Sequence, residues 1–99
     1  MAFIQIIEIT TSRPEQIQEL VGEWTAKTEG RRTASRSTLT ADRDQPNTYV
    51  QIVEFPSYHA AMANTALPET AELAEKLARL CDSPPTFRNL DVRQVDSFS

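Results

Sequence analysis

Asn47-Thr-Tyr-Val-Gln-Ile-Val-Glu-Phe-Pro-Ser-Tyr-His-Ala-Ala-Met-Ala-Asn64 runs a strand straight into a helix, with its unusual side chains gathered at the junction. Successive side chains of a strand point to opposite sides, so Tyr49, Gln51, Val53 and Phe55 share one face. An amide between aromatic rings on an otherwise apolar face marks the wall of a small pocket. The strand stops at Pro56, and Ser57 is placed to cap a short helix from Tyr58 to about Asn64. Leu67-Pro68 breaks that helix, because proline lacks a backbone donor and disfavours helical geometry in the residue before it.

Upstream, Thr33 to Ala41 is rich in Thr and Ser and reads as a strand of modest burial. Asp42-Arg-Asp-Gln-Pro-Asn47 supplies the turn of a hairpin. Phe3 to Thr10, a run of Ile and Phe interrupted by Gln5 and Glu8, reads as a central strand. Ser12-Arg-Pro-Glu15 predicts a helix start, with Ser12 as cap, Pro14 in the first turn and Glu15 closing a capping box. Ile17, Leu20, Val21, Trp24 and Thr28 then form one stripe, and Gly30 ends the helix. Gly22 within it costs about 1 kcal/mol relative to Ala and predicts a close approach by another group. Downstream, Pro68 to Cys81 turns Leu73, Leu77 and Leu80 inward, Pro84-Pro85 ends that helix, and Phe87 to Val95 alternates as a last strand.

The order strand, helix, strand, strand, helix, strand is the ferredoxin-like βαββαβ arrangement, an α+β fold with helices on one face of an antiparallel sheet. Ile4, Ile6, Val50, Ile52, Leu90 and Val92 fall on the opposite face, so both sides of the sheet carry apolar groups. A second copy of the chain covers such a face most economically, and a symmetric homodimer is expected. Residues 1–99 are too few for two cores and are read as one domain. A net charge of −4 argues against nucleic acid as a partner, since phosphate binding needs a concentrated basic surface and Arg31, Arg32 and Arg36 do not supply one. Cys81 has no second cysteine to pair with, Met1-Ala-Phe-Ile lacks the charged start of a signal peptide, and no apolar run approaches the roughly 20 residues of a membrane span. The expected compartment is the cytoplasm.

Gly22 and Gly30 are the only glycines, so no glycine-rich phosphate cradle exists; one His and one Cys cannot build a zinc site, and no metal is expected. Gln51 has two readings: an amide satisfied by neighbouring backbone or water, or a group that orients a ligand. Trp24 divides in the same way between core and ligand platform. His59 sits in the first turn of its helix, where the macrodipole favours the neutral imidazole, the form suited to taking a proton from a phenol; the plainer reading is a surface residue. Tyr49 and Phe55 line the pocket face, and Tyr58 and Met62 are placed at its entrance, with core packing the plainer account of Met62. Cys81 reads as buried and structural. Glu8 and Glu54 could meet across strands as a carboxylate pair, or pair with Arg36 or Arg88 on the outer face.

The element order, the junction Val53-Glu-Phe-Pro-Ser-Tyr-His-Ala-Ala61, and Pro68-Glu-Thr-Ala-Glu-Leu-Ala-Glu-Lys-Leu77 followed by Pro84-Pro-Thr-Phe87 resemble the antibiotic biosynthesis monooxygenase family of dimeric α/β barrels. That family includes cofactor-independent oxygenases of polycyclic aromatic phenols, haem-degrading enzymes, and small-aldehyde and signal-metabolite enzymes. In its quinone-forming oxygenases an Asn and a Trp sit four residues apart on the third strand, and the resemblance places them at Gln51 and Phe55. Their helical Tyr falls at Ala61 and their later Arg at or near Ala74. In the haem-degrading branch, the first-strand Asn falls near Ile7 and the haem-ligating His near Ala74. The resemblance therefore implies an oxygenase of an aromatic or polyketide-like molecule that needs no metal or organic cofactor. Gln51 would orient the substrate and His59 would act as base. The alternative is a dimeric module that binds a small molecule, or serves a structural role, without turnover.

Overall fold

The computed structural model describes residues 2–98. Four strands form one sheet: β1 (Phe3–Thr10), β2 (Arg36–Ala41), β3 (Thr48–Phe55) and β4 (Thr86–Asp91). Their spatial order is β2-β3-β1-β4, and every neighbouring pair is antiparallel. Three helices, α1 (Pro14–Lys27), α2 (Tyr58–Thr65) and α3 (Pro68–Leu80), complete the chain. This is the expected α+β ferredoxin-like arrangement, with the later helical region divided in two at Leu67-Pro68. Among the described residues no helix is long and apolar enough to cross a membrane.

The alternation of the central strands decides what lies beneath the helices. Ile7 stands opposite Gln51 and Ile9 opposite Tyr49, whereas Ile6 stands opposite Ile52 on the other side of the sheet. The helix-facing side holds two packed clusters. Ile9, Ile17, Leu20 and Leu77 form one, and Phe3, Phe55 and Ala61 form the other. On the far side Ile4, Ile6, Val50, Ile52 and Leu90 remain half-buried. That face also holds the expected Arg36–Glu54 ion pair, at 3.7 Å. The register puts Glu8 opposite Val50 and Glu54 opposite Ile4, so these two carboxylates do not form a pair.

Local chemistry corrects four expected boundaries. The N-cap of α1 is Arg13, without a side-chain cap, and Ser12 does not serve. The Thr11 hydroxyl, inside the protein, instead accepts the Arg13 N–H at 3.0 Å, in the turn that leads into the helix. Gly30 does adopt a positive φ of 80°, but two residues beyond the C-cap Thr28, in the turn that follows. β2 begins at Arg36 and not Thr33, because the Thr33 hydroxyl is drawn aside to donate to the Ala60 carbonyl of α2. β4 ends at Asp91 and not Val95, because its only partner, β1, begins at Phe3 opposite Asp91, leaving Val95 75% exposed. The Ser57 cap forms as expected, accepting the Ala60 N–H at 3.0 Å.

Gly22 is also corrected. A Cβ at this exposed helical position would meet nothing within 4 Å, so no close approach requires the glycine. Gly22→Ala is expected to raise stability by about 0.5–1 kcal/mol in urea denaturation, through a smaller backbone entropy loss on folding. Thr11 is fully buried, and its hydroxyl donates to the Leu80 carbonyl at 2.7 Å while accepting from Arg13. Thr11→Val keeps the shape and removes both bonds. It should lower stability by about 2 kcal/mol in the same assay, and an unchanged midpoint would show that the hydroxyl contributes nothing.

Candidate functional site

An apolar cavity of about 100 Å³ lies between the sheet and the helices, lined by members of both core clusters. The sheet forms its floor: Gln5, Ile7 and Ile9 from β1, Gln51, Val53 and Phe55 from β3, Ser37 from β2 and Phe87 from β4. The roof is Ile17, Val21 and Trp24 of α1 with Thr70, Leu73, Ala74 and Leu77 of α3, and Asn64 of α2 closes one end. Phe87 stands at the mouth, 48% exposed. No lining residue carries a titratable side chain. A ligand here meets apolar walls, amides and hydroxyls, and an anion would be desolvated without a compensating cation.

Gln51 is the chemically distinctive floor residue. It is 6% exposed, its Nε2 donates to the Ser37 hydroxyl oxygen, and its Oε1 is buried without a hydrogen-bond partner. Buried polar atoms are nearly always paired, and this acceptor is the exception among the described residues. Trp24, 8% exposed, packs in the roof, and its indole Nε1–H donates to the Thr70 hydroxyl at 3.0 Å. Phe55 lines the floor and meets the ring of Phe3 with centroids 6.3 Å apart.

The structure brings Gln51, Trp24 and Phe55 together and leaves the other sequence-based choices outside. Tyr49 packs against the Ile9 cluster, away from the cavity wall. Tyr58 is 57% exposed and rests edge-on against Phe3, with centroids 5.4 Å apart. Met62 is 41% exposed, and His59 is exposed as well. The reason is the rotation of α2: Ala61 and Asn64 are its buried residues, and the same turn carries His59 and Met62 outward. A base in the cavity cannot come from His59 in this arrangement. The polar lining residues missed by sequence reading are Gln5, on the floor strand β1, and Ser37, Asn64 and Thr70. The cavity position of each follows from strand register or helix packing; alternation with Ile7 and Ile9 could have pointed to Gln5, and the hairpin turn, which fixes the β2–β3 register, to Ser37.

The roof is tied by polar bonds as well as apolar contact. Arg31, just after α1, makes a two-pronged contact with Glu69 in the first turn of α3, at 3.1 and 2.7 Å. Lys27 reaches Glu72 at 3.7 Å. The hydrogen bond from Arg31 holds the Glu69 carboxyl below the usual carboxylate range, and Lys76 with Lys27 does the same to Glu72. These pairs are solvated, so they set the alignment of α1 and α3 more than they stabilise the fold. Cys81 is half-buried against the Ile9 cluster, and its thiol is pushed up by burial and by Asp82, the direction of an unreactive thiol. No group of three or more His, Cys, Asp or Glu able to hold a metal ion is found among the described residues.

No family model matches the sequence, and no curated protein matches it. Solved structures do. SnoaB, a cofactor-independent oxygenase from Streptomyces nogalater crystallised as a mutant, superposes with a TM-score of 0.80 at 21% identity, covering 95% of each chain. A conserved protein from Methanosarcina mazei Go1 superposes with a TM-score of 0.81 at 8% identity, covering 94% of each chain. A structure described as an antibiotic biosynthesis monooxygenase gives 0.72 at 19% identity, over 95% of this chain and 100% of that one. Identities this low carry the architecture and leave activity to the residues of the site. The chain has the ferredoxin-like fold of the antibiotic biosynthesis monooxygenases.

Proposed function

We propose that the protein is a small, cofactor-independent monooxygenase-like enzyme that takes a hydroxylated aromatic or polyketide-like molecule into the cavity between helices and sheet. The observation that carries this reading is an apolar, ring-sized space whose floor includes Gln51, a buried amide with an unpartnered Oε1. An apolar cavity of about 150 Å³ holds benzene in another protein, so one ring is the right scale here. The rest of a larger skeleton extends past Phe87 at the mouth. The likeness to a cofactor-independent oxygenase supports the same class of chemistry.

In this reading Gln51 accepts the substrate hydroxyl, and Trp24 and Phe55 fix the plane of the ring. The hydroxyarene and O₂ become a quinone and water: one oxygen atom joins the ring carbon, and the O–H and C–H hydrogens leave with the other. Ionised substrate is the reductant. Because the lining supplies no base and no cation, the hydroxyl proton leaves to water at the mouth, and the resulting oxyanion is hydrated there rather than held at Gln51. The absence of a titratable lining group also favours a second reading, a module that binds such a molecule without turnover.

Calorimetric titration with hydroxyarenes, alongside oxygen-uptake measurements, separates the two. Gln51→Leu should weaken binding about tenfold. Oxygen uptake by the wild type should rise with pH along the ionisation of the substrate, and His59→Ala should leave it unchanged. Binding without uptake at any pH would reject the oxygenase in favour of the binding module. The open sheet face belongs to the same reading, as the interface of a homodimer built on Ile4, Ile6, Val50, Ile52 and Leu90. Ile6 and Ile52 stand opposite each other at its centre, so Ile6→Lys with Ile52→Lys should convert a dimer to monomer in sedimentation velocity. A wild-type protein that sediments as a monomer would end this part of the proposal.

A further inference from the structure

Leu39 of β2 stands opposite Gln51, and Ser37 stands opposite Val53, so Ser37 is the diagonal neighbour of Gln51 on the cavity face. Diagonal positions of an antiparallel pair are about 7–8 Å apart, within reach of a long side chain. Gln51 Nε2 uses that reach to donate to Ser37 Oγ. Ser37 lies on an edge strand and is exposed, so its own O–H is free for solvent. A primary amide has a donor end and an acceptor end. Committing the donor end to Ser37 leaves Oε1 as the group without a partner.

We propose that Ser37 is a positioning residue that fixes Gln51 as an acceptor, so that the site holds the hydroxyl- or N–H-bearing form of a neutral ligand and discriminates against the carbonyl form. This rests on reading the cavity as a ligand site and gives that site a direction. A carbonyl offers lone pairs to the lone pairs of Oε1, leaving both oxygens unsatisfied in a water-poor space. A hydroxyarene substrate is therefore retained at Gln51, and a quinone product, which carries only acceptors there, is released. No charged side chain lines the cavity, so carboxylate ligands are excluded on the same physical ground.

The test compares 1-phenylethanol with acetophenone, which share one heavy-atom skeleton, differ as alcohol and ketone, and remain neutral at all working pH values. Binding to the full chain is measured by calorimetry and by the side-chain amide resonances of Gln51. Wild type should prefer the alcohol by about tenfold. Ser37→Ala frees the amide to turn either end inward and should bring the ratio near one, and Ser37→Thr, which keeps the hydroxyl, should restore it. A loss of stability alone would weaken both ligands together and leave the ratio fixed. Equal affinities in wild type, or a ratio unchanged in Ser37→Ala, would overturn the inference while the ligand site stands. Binding of neither compound would overturn both.

Discussion

Thr11 is the point on which the arrangement of helices over sheet depends. Its backbone N–H donates to the Asn47 carbonyl at 2.9 Å, its hydroxyl donates to Leu80 at the end of α3, and the same hydroxyl accepts from Arg13 at the start of α1. Next to it, the Thr10 carbonyl accepts from Asp82 at 2.7 Å. One fully buried position thus joins the end of β1, the hairpin turn and one end of each roof helix. Apolar packing is non-directional and tolerates sliding, whereas these bonds fix distance and angle. At the opposite end Phe3, Phe55 and Ala61 pack α2 onto the sheet. The cavity occupies the span between these two fixed ends.

The polar content of that span is a cost in the empty protein. An unpaired buried acceptor destabilises by about 1–3 kcal/mol, and an aliphatic residue at Gln51 would avoid the cost. Trp24 shows the contrast: its indole N–H, equally enclosed, is paired with Thr70. The roof is satisfied internally and the floor is not. Such an imbalance is common at sites shaped for a ligand and rare in cores shaped for stability alone. The small side chains at Ala61 and Ala74 fit the same division. Ala61 is buried against Phe55, and Ala74 forms part of the roof, so neither adds a polar group to the space.

Much of this architecture is legible in the chain. The bounds of β1 follow from its short β-branched apolar run, those of β3 from period-two patterning and the stop at Pro56, and those of α2 and α3 from Ser57 and from the break at Leu67-Pro68. The sequence is less informative wherever a long-range partner outcompetes a local one. Ser12 has the chemistry of a cap, yet Thr11 is the residue whose hydroxyl the fold buries. Thr33 has strand propensity, yet α2 takes its hydroxyl. The pocket face of β3 was readable from alternation alone, which is why Gln51 and Phe55 were found. His59 takes its plainer reading as a surface residue, and Tyr58 and Met62 stand outside the cavity, because eight residues of helix do not reveal their phase until the inward pair Ala61 and Asn64 is known. Ser37, Asn64 and Thr70 were missed because each reaches the cavity through pairing between separate elements.

The location of Ser37 on an edge strand gives the site its polarity. In a central strand, a serine hydroxyl facing the cavity would lie among buried neighbours and would have to donate its hydrogen within the protein. The Gln51 amide oxygen would be the nearest acceptor. The amide would then turn its nitrogen toward the ligand, and the floor would present a donor. At the edge, the exposed hydroxyl can give its hydrogen to solvent and keep a lone pair for Gln51 Nε2. On that proposal, solvent access to one side of β2 decides which end of a buried amide is left without a partner, and a surface feature of the sheet bears on the chemistry of its interior.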